Sequence, residues 1–234
     1  MDKNPAKPKL NMEENVLDDF IEEVDERPEV LTDSQIFSLI WTSPKQVFRF
    51  LDSYQYEKHT TVLLVLAGIS RAFDRASMQD MGDKMGITSL VITCIVAGAL
   101  FGWISYYIYA AAVSWTGSWL GGKGDTKRLL RVMAYAMIPA IVALFFLIPQ
   151  IAVYGEAMFQ SNGDITSASI AENILVYGSL LIEFSLALWA FVLTVIAVSV
   201  VQELSIGKSI VNLLLPVIVL VVPILLIALL VGTF

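Results

Sequence analysis

Eleven residues into the run from Asn173 to Val201, otherwise free of charge, stands one carboxylic acid, Glu183. Facing lipid, such a group costs several kcal/mol, so it should face other protein and be protonated or hydrogen-bonded. Gln150, Asn212, Ser105 and Tyr106 are the polar partners that neighbouring apolar runs can offer. Two chemistries follow: a structural hydrogen bond between helices, or a site for an ion, a proton or a small polar substrate. Pro139 and Pro149 in one run, and Pro216 and Pro223 in another, bear on the same choice. Each removes a backbone donor and disturbs its helix, which either shapes a bundle or marks a hinge beside a cleft.

A second constellation is Gly117-Ser-Trp-Leu-Gly-Gly122-Lys123-Gly124, one residue away from a phosphate-binding loop. That motif needs Ser or Thr after the lysine to hold magnesium and a strand before the loop; here Gly124 follows and an apolar helix precedes. Nucleotide hydrolysis is rejected. The glycines instead end a helix, and Asp125 or Thr126 starts the next. Lys123, Lys127, Arg128 and Arg131 then form a basic rim, which reads as a topogenic loop or as a contact for anionic lipid headgroups or an acidic segment. No nucleophile elbow, HExxH, pair of intramembrane aspartates or Ser–His arrangement is present, so the catalytic set is empty. A lone Cys94 and a lone His59 make neither a disulfide nor a metal centre, and no cofactor is expected. Nucleic acid is excluded as a partner, because no concentrated basic face exists outside the one short loop.

The elements that must hold these residues are membrane helices. From Ile87 to Leu120 the chain runs 34 residues without Asp, Glu, Lys, Arg or His. As a helix that is about 50 Å, against a hydrocarbon core of about 30 Å. Trp115 and Trp119 near its end suit an interfacial belt. Val132 to Tyr154, Asn173 to Val201 and Ser209 to Phe234 are the next three runs. Gly98 and Gly102 form a GxxxG step, read as internal packing first and as a homo-oligomer contact second.

The first run is the poorest: only Thr60 to Ser70 is uncharged, ahead of Arg71, Asp74 and Arg75. Residues 58–75 cross only if Lys58 and Arg71 snorkel to opposite surfaces. Charge decides for crossing. With five spans and the amino terminus inside, twelve of the fifteen Lys and Arg residues lie on the cytosolic side and only Arg71, Arg75 and Lys84 lie outside. The expected fold class is therefore all-α: a polytopic transmembrane bundle of five spans over residues 58–234, carboxyl terminus outside.

The formal charge of −7 is local, because residues 1–33 alone carry it. Residues 1–35 read as an acidic, largely disordered cytosolic tail, with a helical stripe from Val16 to Val24 able to dock on a basic protein partner. Residues 36–57 read as an interfacial amphipathic segment. Ser43, Pro44 and Gln46 make a helix start with capping-box spacing, and Val47, Phe48, Phe50, Leu51 and Tyr54 form an apolar stripe for the membrane surface. The first ten residues lack the apolar core of a signal peptide, so the spans themselves are expected to direct insertion.

The surface segment Trp41-Thr-Ser-Pro-Lys-Gln-Val-Phe48, the turn Gly121-Gly-Lys-Gly-Asp125 and the entry Val132-Met-Ala-Tyr-Ala-Met-Ile-Pro139 carry a resemblance. In their order the chain resembles the Yip-domain family of Ypt/Rab GTPase-interacting membrane proteins, in its prokaryotic branch, from about Phe37 to the end. The resemblance implies a five-helix membrane domain with a cytosolic amino terminus and no catalytic activity. Eukaryotic members act in ER and Golgi traffic and contact small GTPases and each other. The Asp-Leu-Tyr-Gly-Pro-type motif of those members is missing here, so GTPase binding is not carried over. The implied setting is the prokaryotic inner (cytoplasmic) membrane. The expected function is a non-catalytic scaffold or adaptor contacting lipids or a partner through its cytosolic face. The alternative is a small transporter or channel-like protein built on Glu183 and the proline-broken helices. A closed bundle marks the first and a cavity reaching Glu183 the second.

Overall fold

The computed structural model describes residues 28–165 and 169–232. The Val16 to Val24 stripe lies outside them. Among the described residues the secondary structure is helical, without strands: α1 Asp33–Thr42, α2 Pro44–Ser53, α3 Thr60–Met78, α4 Ile87–Trp119, α5 Thr126–Ala136, α6 Ile138–Tyr154, α7 Ile170–Gln202 and α8 Ile206–Gly232. Two 3-10 turns, Met81–Asp83 and Gly155–Phe159, pack together at one end of the bundle. We call the opposite end, where α1, α2 and the start of α5 lie, the cap.

Three stretches are long and apolar enough to cross a bilayer: Ile87–Trp119, Thr126–Phe159 and Ile170–Gln202. In α4 and α7 large apolar side chains are exposed on the outer flanks, Phe101, Ile108, Leu181 and Phe184 among them. A helix apolar all round needs an apolar solvent. Trp115 and Trp119 are both exposed and meet edge to face at 4.7 Å between ring centroids.

The cap departs from the sequence reading. Most of the stripe expected on a membrane surface faces inward: Val47, Phe48, Phe50 and Leu51 are buried, Tyr54 alone of the five is exposed, and α2 packs on α5 and α7. Burial against those helices removes the same apolar area from water that lipid would have removed. Ser43 stands at the start of α2 with Pro44 in the first turn, yet its side chain makes no capping bond. The capping box sits one helix earlier, where Thr32 and Gln35 exchange hydrogen bonds at the start of α1.

α3 runs on past Ser70, through Arg71, Asp74 and Arg75, to Met78. It lies along α4 because three glycines let it. A Cβ on Gly102 would stand 2.2 Å from the Gly68 Cα, and one on Gly68 would stand 2.6 Å from the Gly98 carbonyl oxygen. The GxxxG step is therefore filled from within the chain, its partner being Gly68.

The third apolar run is two helices. α5 ends at Ala136, Met137 closes it, and Pro139 falls in the first turn of α6, where no helical donor is needed. Pro149, Pro216 and Pro223 are interior to their helices.

The turn after α4 wraps a side chain. Gln202, fully buried at the end of α7, accepts from the Gly124 amide at 3.0 Å and donates to the Val113 carbonyl at 3.2 Å. A Cβ on Gly122 would stand 2.4 Å from the Gln202 Oε1, and Gly121 has a φ of +87°. Space dictates the first glycine and backbone conformation the second.

Candidate functional site

Near the end of α6, the fully buried Gln150 donates from Nε2 to Glu183 of α7 at 2.5 Å, and also to the Phe146 carbonyl at 3.1 Å. The Gln150 Oε1 is buried and has no hydrogen-bond partner among the described residues. Of the four partners weighed from sequence, Gln150 is the one Glu183 meets. Asn212 lies toward the cap on α8, where its Oδ1 accepts from Thr116 at 2.9 Å and its buried Nδ2 has no partner among the described residues.

Gln150 and Glu183 line a cavity of about 420 Å³, and Asp74 of α3 lines it with them. Ser70 and Ser77 stand on the same wall, and the Ser70 hydroxyl donates to the Ala140 carbonyl just after Pro139. A second cavity of about 380 Å³ shares Ser70 and Asp74 and extends to Arg71, Tyr106, Tyr109 and Thr194. A third, about 650 Å³, lies between α3 and α4 and is again lined by Asp74. One acid thus borders all three spaces.

Sequence reasoning missed Asp74 by placing it at the outer edge of the first span. The signal was present: Ser70, Asp74 and Ser77 recur at i, i+4 and i+7, a polar stripe on one helical face. The proline positions separate. Pro139 is buried beside the Ala140 carbonyl, Pro149 directly precedes Gln150, and Pro216 is buried near Leu213, whose carbonyl accepts from Tyr109 at 2.8 Å; Pro223 is exposed.

At the cap, the four basic rim residues are paired with carboxylates of this chain. Arg128 grips Asp52 through Nε at 2.8 Å and Nη2 at 2.5 Å. Arg131, only 3% exposed, donates to Glu57 at 2.7 Å, while its Nε and Nη1 have no partner among the described residues. Lys127 reaches Glu57 at 3.2 Å and Lys123 reaches Glu203 at 2.7 Å. These cations hold the Glu57 and Glu203 carboxyls below the usual carboxylate range, Arg131 and then Lys127 acting on the first and Lys123 on the second. Asp33, at the head of α1, binds Lys58 at 2.5 Å, the Tyr56 hydroxyl, and His59 at 3.3 Å. Its carboxyl is held far below the ordinary value, chiefly by Lys58 and then Tyr56.

Among the described residues no group of His, Cys, Asp and Glu has the arrangement of a metal centre. No match was found among curated proteins or among solved structures. The Yip1 domain model matches residues 38–228, from the middle of α1 almost to the end of α8. The chain belongs to the Yip1 domain family of integral membrane proteins.

Proposed function

We propose that this protein is a non-catalytic membrane protein that admits a small cation or a proton into the acidic cavity between α3, α6 and α7. The observation that carries the reading is the convergence of Asp74 and Glu183 on one cavity, beside a Gln150 acceptor with no partner among the described residues. Carboxylate and amide oxygens are the ligands hard cations prefer, and carboxyl groups inside membranes serve as proton relays. Pro149, interior to α6 and directly before Gln150, removes a backbone donor beside the cavity, as a cleft wall able to flex requires. The topology that goes with it has five crossings, α3 included. Its 19 residues span about 28 Å. The amino terminus and cap are cytosolic and the carboxyl terminus is outside, in a prokaryotic cytoplasmic membrane.

The test is flux of protons, sodium or potassium in liposomes holding the full chain. Glu183→Gln and Asp74→Asn should each remove uptake and leave thermal unfolding unchanged. Uptake at the wild-type rate in both folded variants overturns the proposal.

A scaffold or adaptor working through the cap is the second reading. What favours it is the division within the rim: Arg128 and Arg131 are committed to the fold, but the Lys123 and Lys127 side chains are 71% and 76% exposed. Exposed pairs contribute little to stability and exchange readily for another anion. A peptide of residues 1–27 should then bind the truncated protein, less tightly as salt rises and not at all to the Lys123→Gln/Lys127→Gln variant.

A further inference from the structure

The seam between α3 and α4 is a site of its own. Its floor consists of Gly68, Gly98 and Gly102 with Ala72 and Ala97, and its space is about 650 Å³. Phe101, exposed on the flank of α4, forms one wall. The glycines are already apposed to one another, so a second copy of the chain has no free glycine face to pack against there. What is left is a largely apolar groove along the α3–α4 seam, edged by Arg71, Asp74, Arg75, Gln79 and Ser105.

Two guanidiniums border this groove. Arg71 and Arg75 are one helical turn apart on the same face of α3 and both line the seam. Neither forms an ion pair among the described residues, whereas Lys58, Lys123, Lys127, Arg128 and Arg131 at the cap all do. The Arg71 guanidinium lies 5.9 Å above the Tyr106 ring, a contact that aims the group without neutralising it. Asp74 borders the same space and tempers the charge. Ser105 and Gln79 add uncharged donors. Unpaired guanidiniums on a membrane-embedded surface call for an anion, and their planar donor pairs match a phosphodiester.

We propose that this seam binds an anionic phospholipid, with the phosphate held by Arg71 and Arg75 and an acyl chain lying on the glycine–alanine floor. Charge complementarity and the apolar groove select the same ligand, a phosphate joined to a hydrocarbon tail. The site shares Asp74 with the cation cavity but differs from it in ligand, because its arginines repel a cation and its floor is apolar.

The experiment measures lipid binding to the purified full chain in detergent, by native mass spectrometry and by the shift of the unfolding temperature. The probes are phosphatidylglycerol, phosphatidylcholine and inorganic phosphate. Phosphatidylglycerol should bind and stabilise, and the other two should not. Arg71→Gln/Arg75→Gln should weaken binding roughly ten- to thirtyfold, as two headgroup contacts imply. Ala97→Leu, which fills the groove and keeps both charges, should also weaken it and carries the test if the arginine variant does not fold. Asp74→Asn should tighten it, the opposite of its expected effect on cation flux. Equal response to phosphatidylcholine, full binding by inorganic phosphate, undiminished binding in Ala97→Leu, or loss in Lys123→Gln/Lys127→Gln would overturn the assignment.

Discussion

Gln150 on α6 and Glu183 on α7 are joined by a hydrogen bond across 33 positions of sequence, beside a cavity that Asp74 enters from α3. The pair binds two helices together and presents a carboxyl group to the cavity. Substitution separates these roles. Glu183→Gln keeps a hydrogen-bonding side chain and should unfold at the wild-type temperature, with flux lost. Glu183→Leu strands the Gln150 amide and should destabilise the bundle by about 1–2 kcal/mol in reversible detergent unfolding. A Gln variant as unstable as the Leu variant would make the charge itself structural.

The Arg128–Asp52 pair ties α2 to the start of α5 by two prongs, with Asp52 largely buried. A double-mutant cycle with Asp52→Asn and Arg128→Gln should give a coupling of about 1–3 kcal/mol. The same cycle on Lys127 and Glu57, which are both exposed, should give under about 1 kcal/mol.

Gly102→Ala should be among the most damaging small substitutions. The new methyl meets backbone at Gly68, which no rotamer change relieves, so α3 and α4 must separate. Overpacking of this kind costs about 1–3 kcal/mol. Gly178→Ala, where a Cβ meets nothing, serves as the control in the same unfolding assay.

Acid should loosen the cap. Asp33 has a folded pKa below its unfolded value, so its contribution is fully present above the ordinary value of about 4 and is lost as pH falls from there through the depressed one. Glu57 behaves in the same sense. The protection of amides in α1 and the α2–α3 link against hydrogen exchange, taken relative to the intrinsic rate at each pH, should therefore fall below about pH 4 and stay flat above it. Asp33→Asn should show fast exchange already at neutral pH. Unchanged protection in that variant would mean that apolar packing alone holds α1.

The five-span topology is open to cysteine labelling, since the one native cysteine, Cys94, is buried. Ser34, Lys127 and Asn162 are exposed positions. Of single cysteines placed there, only that at 162 should react with an impermeant reagent added outside intact cells. Labelling at 34 with none at 127 would show that α3 does not cross. Gly124 and Gly163 are unsuitable positions, because a Cβ there would lie 2.8 Å from Val201 and 1.9 Å from the Ala157 carbonyl oxygen.

The residue order by itself determined the solvent, the helical class and the family, because uncharged length, tryptophan placement and the glycine-turn and proline motifs are properties of consecutive residues. It also identified Glu183 as a group needing a partner, since desolvation penalises a lone carboxyl wherever its helix packs. Only the tertiary structure decided which partner that is, that Asp74 joins the same cavity, and that the α2 stripe is buried by α5 and α7 rather than laid on lipid. An amphipathic stripe records that a face is withdrawn from water and says nothing of what covers it. The rim lysines and arginines looked alike in sequence, as cations do, and became two classes only once Asp52 and Glu57 were brought from α2 and the loop after it. Gly98 and Gly102 named one half of a close contact; the other half, Gly68, lies on another helix. Pairings between distant residues depend on how helices cross, and a helix's own periodicity does not encode the crossing.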